Sequence, residues 1–123
     1  MTSSSARSAW DPWTYSANTG MSGKRADVVG FDVEATDGSI GKIDEATYDV
    51  GSSYVVVDTG PWIFGSKVML PAGTVNRVDR NDRKVYVDRS KDEIKSAPKF
   101  DKDTYTDRGY RDRVGEYYGR SRR

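Results

Sequence analysis

At 123 residues the chain is long enough for one domain, but only 35% of it is apolar and 32% is charged, so part of its length is expected to lie outside a packed core. Its 20 basic and 19 acidic side chains leave a net charge of +1, and binding to nucleic acid or anionic lipid would need a local patch rather than a global field. Cysteine and histidine are both missing, which excludes disulfides, thiolate nucleophiles, imidazole bases and the common zinc, haem and iron–sulfur ligands, so neither a metal nor a cofactor is expected.

Residues 1–24 are rich in Ser, Thr and Gly without helical or strand periodicity, and read as a disordered arm. The opening is polar and has no apolar core of a secretory signal, so a cytoplasmic location is the expectation. Within the arm, Ala9-Trp10-Asp11-Pro12-Trp13-Thr14-Tyr15 carries three large aromatics. Trp10, Trp13 and Tyr15 read either as a linear anchor for a partner or as rings that fold back onto the chain's own sheet.

Between residues 27 and 87 the pattern changes to short β-branched segments separated by turn residues, which predicts an all-β fold: a small, closed or partly open six-stranded barrel. The first strand covers residues 27–35, where Val29, Phe31 and Val33 alternate with polar neighbours. Asp37-Gly38 is expected to supply the positive φ angles of a tight hairpin, and Gly41, inside the returning strand, to mark a bulge. Residues 54–59 are dense in valine and predict a central strand buried on both faces.

Gly60-Pro61 breaks that strand, residues 62–70 read as a fourth, and Pro71-Ala72-Gly73 ends it. Residues 74–79 and 84–88 then pair across Arg80-Asn81-Asp82-Arg83, whose Asn-Asp centre tolerates left-handed geometry. Ser90 and Glu93 stand at the positions of a capping box and predict one short helical turn, stopped by Pro98. Apolar runs such as residues 55–57 and 68–70 are three residues long where a membrane span needs about 20, so no transmembrane helix is expected.

Residues 99–123 hold eight basic and five acidic side chains with Phe100, Tyr105, Tyr110, Tyr117 and Tyr118 spread among them, and read as a disordered, Tyr/Arg-rich tail. Domain organisation is thus an arm at 1–24, a folded unit at 25–98 and a tail at 99–123.

Taken together, Gly30-x-x-Val33, Asp37-Gly38-Ser39-Ile40-Gly41-Lys42-Ile43-Asp44, Tyr54-Val55-Val56-Val57 and Lys67-Val68-Met69-Leu70-Pro71-Ala72-Gly73-Thr74-Val75 resemble the PRC-barrel family. The resemblance runs from about residue 27 to 98. That family includes the cytoplasmic part of the photosynthetic reaction-centre H subunit, the C-terminal domain of the ribosome maturation factor RimM, and stand-alone bacterial proteins. It implies a compact barrel that works by docking to a protein or a ribonucleoprotein.

Chemistry finds little support in the sequence. Val55-Val56-Val57-Asp58-Thr59-Gly60 matches the active-site motif of retropepsin-like aspartic proteases, which dimerise to bring two such carboxylates together. Pro61-Trp62 follows where those proteases carry a small residue, and neither a glycine-rich flap nor the later apolar-apolar-Gly segment is found, so Asp58 is read as the end of a strand and no catalytic residue is expected.

Arg108, Arg111, Arg113, Arg120, Arg122 and Arg123, interleaved with tyrosines, are of the type that stacks on single-stranded RNA, but Asp107, Asp112 and Glu116 lie among them. Trp62, Ile63 and Phe64 are consecutive, so a regular strand would turn at least one outward as a docking spot. The expectation is a non-catalytic adaptor that binds a protein, or another copy of itself, through Trp62 and Phe64 with Trp10, Trp13, Tyr15, Tyr110, Tyr117 and Tyr118. RNA or ribosome association is the alternative, and a dimeric aspartic protease acting through Asp58 the remote one.

Overall fold

The computed structural model describes residues 12, 13, 15, 28–47, 53–60 and 67–120. Trp10, Trp62 and Phe64, and the start of the expected fourth strand, lie outside the described residues.

Six strands form: β1 (Asp32–Ala35), β2 (Gly38–Ala46), β3 (Tyr54–Asp58), β4 (Lys67–Pro71), β5 (Val75–Asp79) and β6 (Lys84–Val87). They make one sheet in the order β4-β3-β2-β1-β6-β5, antiparallel at every junction except β1 with β6, which is parallel. The sheet is mixed and not closed, because no ladder joins β4 to β5.

Those two edge strands are nevertheless consecutive, linked only by a single 3-10 turn, Ala72–Thr74. Four residue steps reach at most about 14 Å, whereas the edges of a flat six-stranded sheet would stand about 24 Å apart. The sheet must therefore curl until its edges approach, and the curl wraps the core.

Bulges supply the bending. Val33 faces Gly41 while Glu34 faces Ser39, which leaves Ile40 as the extra residue; Asp44 is the extra residue between the Ile43–Val57 and Glu45–Val56 pairs. Gly41 adopts φ 150°, and a Cβ there would stand 2.1 Å from the carbonyl oxygen of Asp58. Only glycine lets β2 and β3 approach this closely. As expected, β3 is buried on both faces, with Val55, Val56 and Val57 inaccessible.

Two turns differ from expectation. Ala35 faces Gly38 across the β1–β2 ladder, so Thr36 and Asp37 make the hairpin turn and Gly38 opens β2 at φ 140°. Asp37 has another task, since its carboxylate accepts the Lys91 N–H at 2.9 Å and ties the hairpin to the start of the short helix that follows β6. In the β5–β6 turn the left-handed residue is Arg83, φ 56°, rather than Asn81 or Asp82. Asp79 accepts the Asp82 N–H at 3.0 Å to close that turn, and the Arg83 guanidinium lies 4.8 Å from the Phe31 ring centroid.

Helix α1 (Lys91–Lys95) carries the predicted capping box: Ser90 Oγ accepts the Glu93 N–H at 3.1 Å and Glu93 Oε1 accepts the Ser90 N–H at 2.8 Å. The expected disordered tail is corrected by α2 (Arg108–Arg120). Tyr110, Val114 and Tyr118 recur every four residues, so they share one face and close the core, with exposures of 3%, 1% and 0%. Charged neighbours hide this stripe in the sequence, but a curled sheet with one open side needs such a cover.

Candidate docking surface

Three groups of residues at the margin of the core carry specific interactions. The first is a carboxylate hub at Glu45, beside the β2 bulge. Its Oε1 accepts from Tyr105 Oη at 3.0 Å and its Oε2 from Tyr54 Oη at 3.4 Å, while the two rings meet edge to face with centroids 6.1 Å apart. Phe100 leans on Tyr105 with centroids 4.8 Å apart. Burial, and then the negative charge of Glu45, push the Tyr54 phenol up to about 12. The hub fixes the segment between α1 and α2 against β2 and β3.

That segment shapes the second group, a notch of about 90 Å³ whose lining includes Val68, Ile94 and Phe100 with Lys67, Lys95 and Lys99. Lys95 and Lys99 are exposed. Lys67 Nζ donates to Asp44 Oδ2 at 2.9 Å, and this bond raises the ammonium above its ordinary pKa and keeps it charged. The result is an apolar floor beneath a rim of three ammonium groups, of which that of Lys67 is paired with Asp44. Substrate sites usually run to about 300–1,000 Å³, so this notch is the size of one side chain rather than of a whole small molecule.

The third group is the aromatic arm. The Trp13 carbonyl accepts the Ser53 N–H and the Pro12 carbonyl accepts the Gly73 N–H, both at 2.8 Å. Tyr15 Oη donates to the Thr47 carbonyl at 2.7 Å. Trp13 lies against Gly115 of α2, where a Cβ would come within 3.0 Å of the indole Nε1, and the Arg111 guanidinium covers the ring at 4.5 Å from its centroid. Trp13 and Tyr15 therefore take the fold-back course of the two that the sequence left open.

The tyrosines of the expected tail are likewise used internally. Tyr110 and Tyr118 are in the core, and Tyr117 Oη donates to the Glu93 carbonyl at 2.5 Å, joining the two helices. Desolvation holds the Tyr110 phenol up at about 12 and raises that of Tyr118 further. Rings so placed are not free anchors for a partner, and those of Tyr110 and Tyr118 have no face to offer a nucleobase. The arginines divide: Arg111 lies on Trp13, and Arg108, Arg113 and Arg120 point outward from α2.

Asp58 sits exposed at the end of β3 and accepts the Gly60 N–H at 3.0 Å, with Gly60 at φ 67°, so the carboxylate closes its own turn. Pro71 ends β4 and Gly73 lies buried in the 3-10 turn. Among the described residues no group of acidic side chains gathers as a metal site, and no helix is long and apolar enough to cross a membrane. Neither a protein-family model nor a curated protein matches this chain.

Sequence reasoning passed over the notch lysines, the Glu45 hub and Arg89. Lys95 and Lys99 flank Ala97-Pro98 in the sequence, which is a local hint, but Lys67 comes from a distant strand. No local signal brings the three together.

Proposed function

We propose that this chain is a non-catalytic protein-binding or assembly module of PRC-barrel type, in which the curled sheet acts as a partly open barrel and docks an acidic segment of a protein partner. The observation that carries the proposal is the notch, in which Lys67, Lys95 and Lys99 surround a floor that includes Val68, Ile94 and Phe100. Such a site suits a segment that inserts one apolar side chain and sets carboxylates on the rim, since burial supplies affinity and charge supplies register. The resemblance supports the same reading, because its motifs fall on the turn before β1, on β1 to β4 and on the connections as far as the first residue of β5.

The proposal is tested by crosslinking the full chain in its native cell, identifying the captured partner and measuring its affinity with purified proteins. Lys95→Glu with Lys99→Glu should weaken that affinity about tenfold or more, with the fold intact by circular dichroism. Unchanged affinity would overturn it. Recovery of RNA instead, with affinity falling steeply as salt rises, would favour ribosome association.

A further inference from the structure

The cleft that holds the aromatic arm has the features of a peptide-binding site. Two backbone N–H groups, from Ser53 and Gly73, take successive carbonyls of the arm, Trp13 and Pro12. Between these bonds and the Tyr15 hydroxyl bond to Thr47, the side chains are read one by one: Trp13 on the bare backbone of Gly115 and beneath Arg111, Tyr15 over the end of β2. Main-chain bonds that hold the backbone, with side-chain contacts that select residues, are how proteins recognise short peptide segments. The recognised pattern is Pro-Trp-x-Tyr.

Gly115 is the most telling residue. Glycine inside a helix costs about 1 kcal/mol relative to alanine, and here the missing side chain is the space in which the indole lies. The helix thus carries a recess matched to this arm.

The link between arm and sheet is long for its task. Tyr15 is fixed at Thr47 and Gly30 donates to the Ile43 carbonyl, two points four residues apart on and just after β2, or about 13 Å. Residues 16–27 can reach roughly 40 Å when extended. A link with that reach permits the arm to enter the cleft of a neighbouring molecule, where every contact made within one chain is reproduced unchanged. Exchange of an identical element costs little for that reason.

We propose that two copies of this chain associate by exchanging their Pro12–Trp13–Tyr15 arms. This inference uses none of the notch residues and stands apart from the proposed function. Within one molecule the arm competes at an effective concentration on the order of millimolar, so the exchanged pair is the minor species at micromolar concentration and grows as the chain concentration approaches that value.

The test pairs two full-length variants that complement each other. Trp13→Ala with Tyr15→Ala has a cleft and no arm; Gly115→Leu has an arm and a blocked cleft. Each alone should sediment as a monomer, and an equimolar mixture should form a one-to-one complex that an excess of synthetic peptide of residues 9–16 dissolves. Absence of the complex with both variants folded would overturn the proposal, as would a complex that the peptide leaves intact.

Should Gly115→Leu fail to fold, the labelled peptide replaces it as arm donor. The peptide should then bind the armless variant saturably and the wild-type chain at least about tenfold more weakly, and equal or absent binding counts against exchange. Should the armless variant fail to fold, the peptide added during refolding should restore its native circular dichroism, and failure to do so overturns the proposal.

Discussion

Arg89 Nη2 donates to the carbonyl oxygen of Tyr118 at 2.7 Å, across a part of the core in which both side chains are wholly inaccessible. Tyr118 stands in the last turn of α2, where carbonyls lack partners within the helix and carry the negative end of its dipole. The buried guanidinium answers both needs, and its Nη1 is paired with the Asp88 carboxylate. One cation thus joins the end of the sheet to the end of the helix that covers it.

Replacing Arg89 with Met would keep the volume and leave the Tyr118 carbonyl and Asp88 without their donor. The expected loss is about 2–4 kcal/mol, read as a lower urea midpoint. Arg89→Lys should recover little, because an ammonium on a flexible stem does not reproduce the two-armed geometry. A midpoint within error of wild type for the Met variant would show that Arg89 is not what fastens α2.

Gly41→Ala is expected to cost about 3 kcal/mol or more, since the new Cβ would meet the Asp58 carbonyl at 2.1 Å in a backbone region alanine avoids. The same substitution at Gly60, also at positive φ but with open space around it, should cost only the backbone strain, about 1 kcal/mol. Thermal denaturation of the two variants separates the effect of close approach from that of conformation.

Much of the sheet was legible because its signals are local. Valine density at residues 54–59 pointed to a strand buried on both faces, though β3 stands one place in from the sheet edge and not at its centre. Gly41 pointed to the bulge and Ser90 with Glu93 to the capping box, each through residues within a few positions. The parallel pairing of β1 with β6 was not legible, since it depends on segments some 50 residues apart, and the sequence left open whether the sheet closes. Helix α2 was missed because its three core residues stand among arginines and aspartates, and their helical spacing matters only once a sheet lacks a cover. Arg89 carries no local signal, because the carbonyl it serves, that of Tyr118, stands 29 residues further along the chain.

Gly109 and Gly115 offer a matched pair on α2. Nothing lies within 4 Å of a Cβ added at Gly109, so Gly109→Ala should gain about 0.5 kcal/mol from helix propensity. At Gly115 the same gain is opposed by contact with Trp13 at 3.0 Å, and Gly115→Ala should be neutral or destabilising. Adding Trp13→Ala should reverse that sign, making alanine at 115 favourable. Additivity of the two substitutions in a double-mutant cycle would show that indole and glycine are not coupled.

The pH dependence should appear on the alkaline side. Tyr54 and Tyr110 titrate near 12 in the folded chain, the first raised by burial and then by Glu45, the second by burial, against about 10 when unfolded. A raised pKa means that the folded state holds the proton more tightly. The stabilisation is therefore complete below about pH 10 and is lost as pH climbs through about 12. Urea midpoints should stay level up to about pH 10 and fall beyond it, in step with phenolate absorbance. Glu45→Gln removes the second cause at Tyr54 and should bring its titration down, leaving that of Tyr110 in place; a titration that does not move would separate Glu45 from the phenol it accepts from.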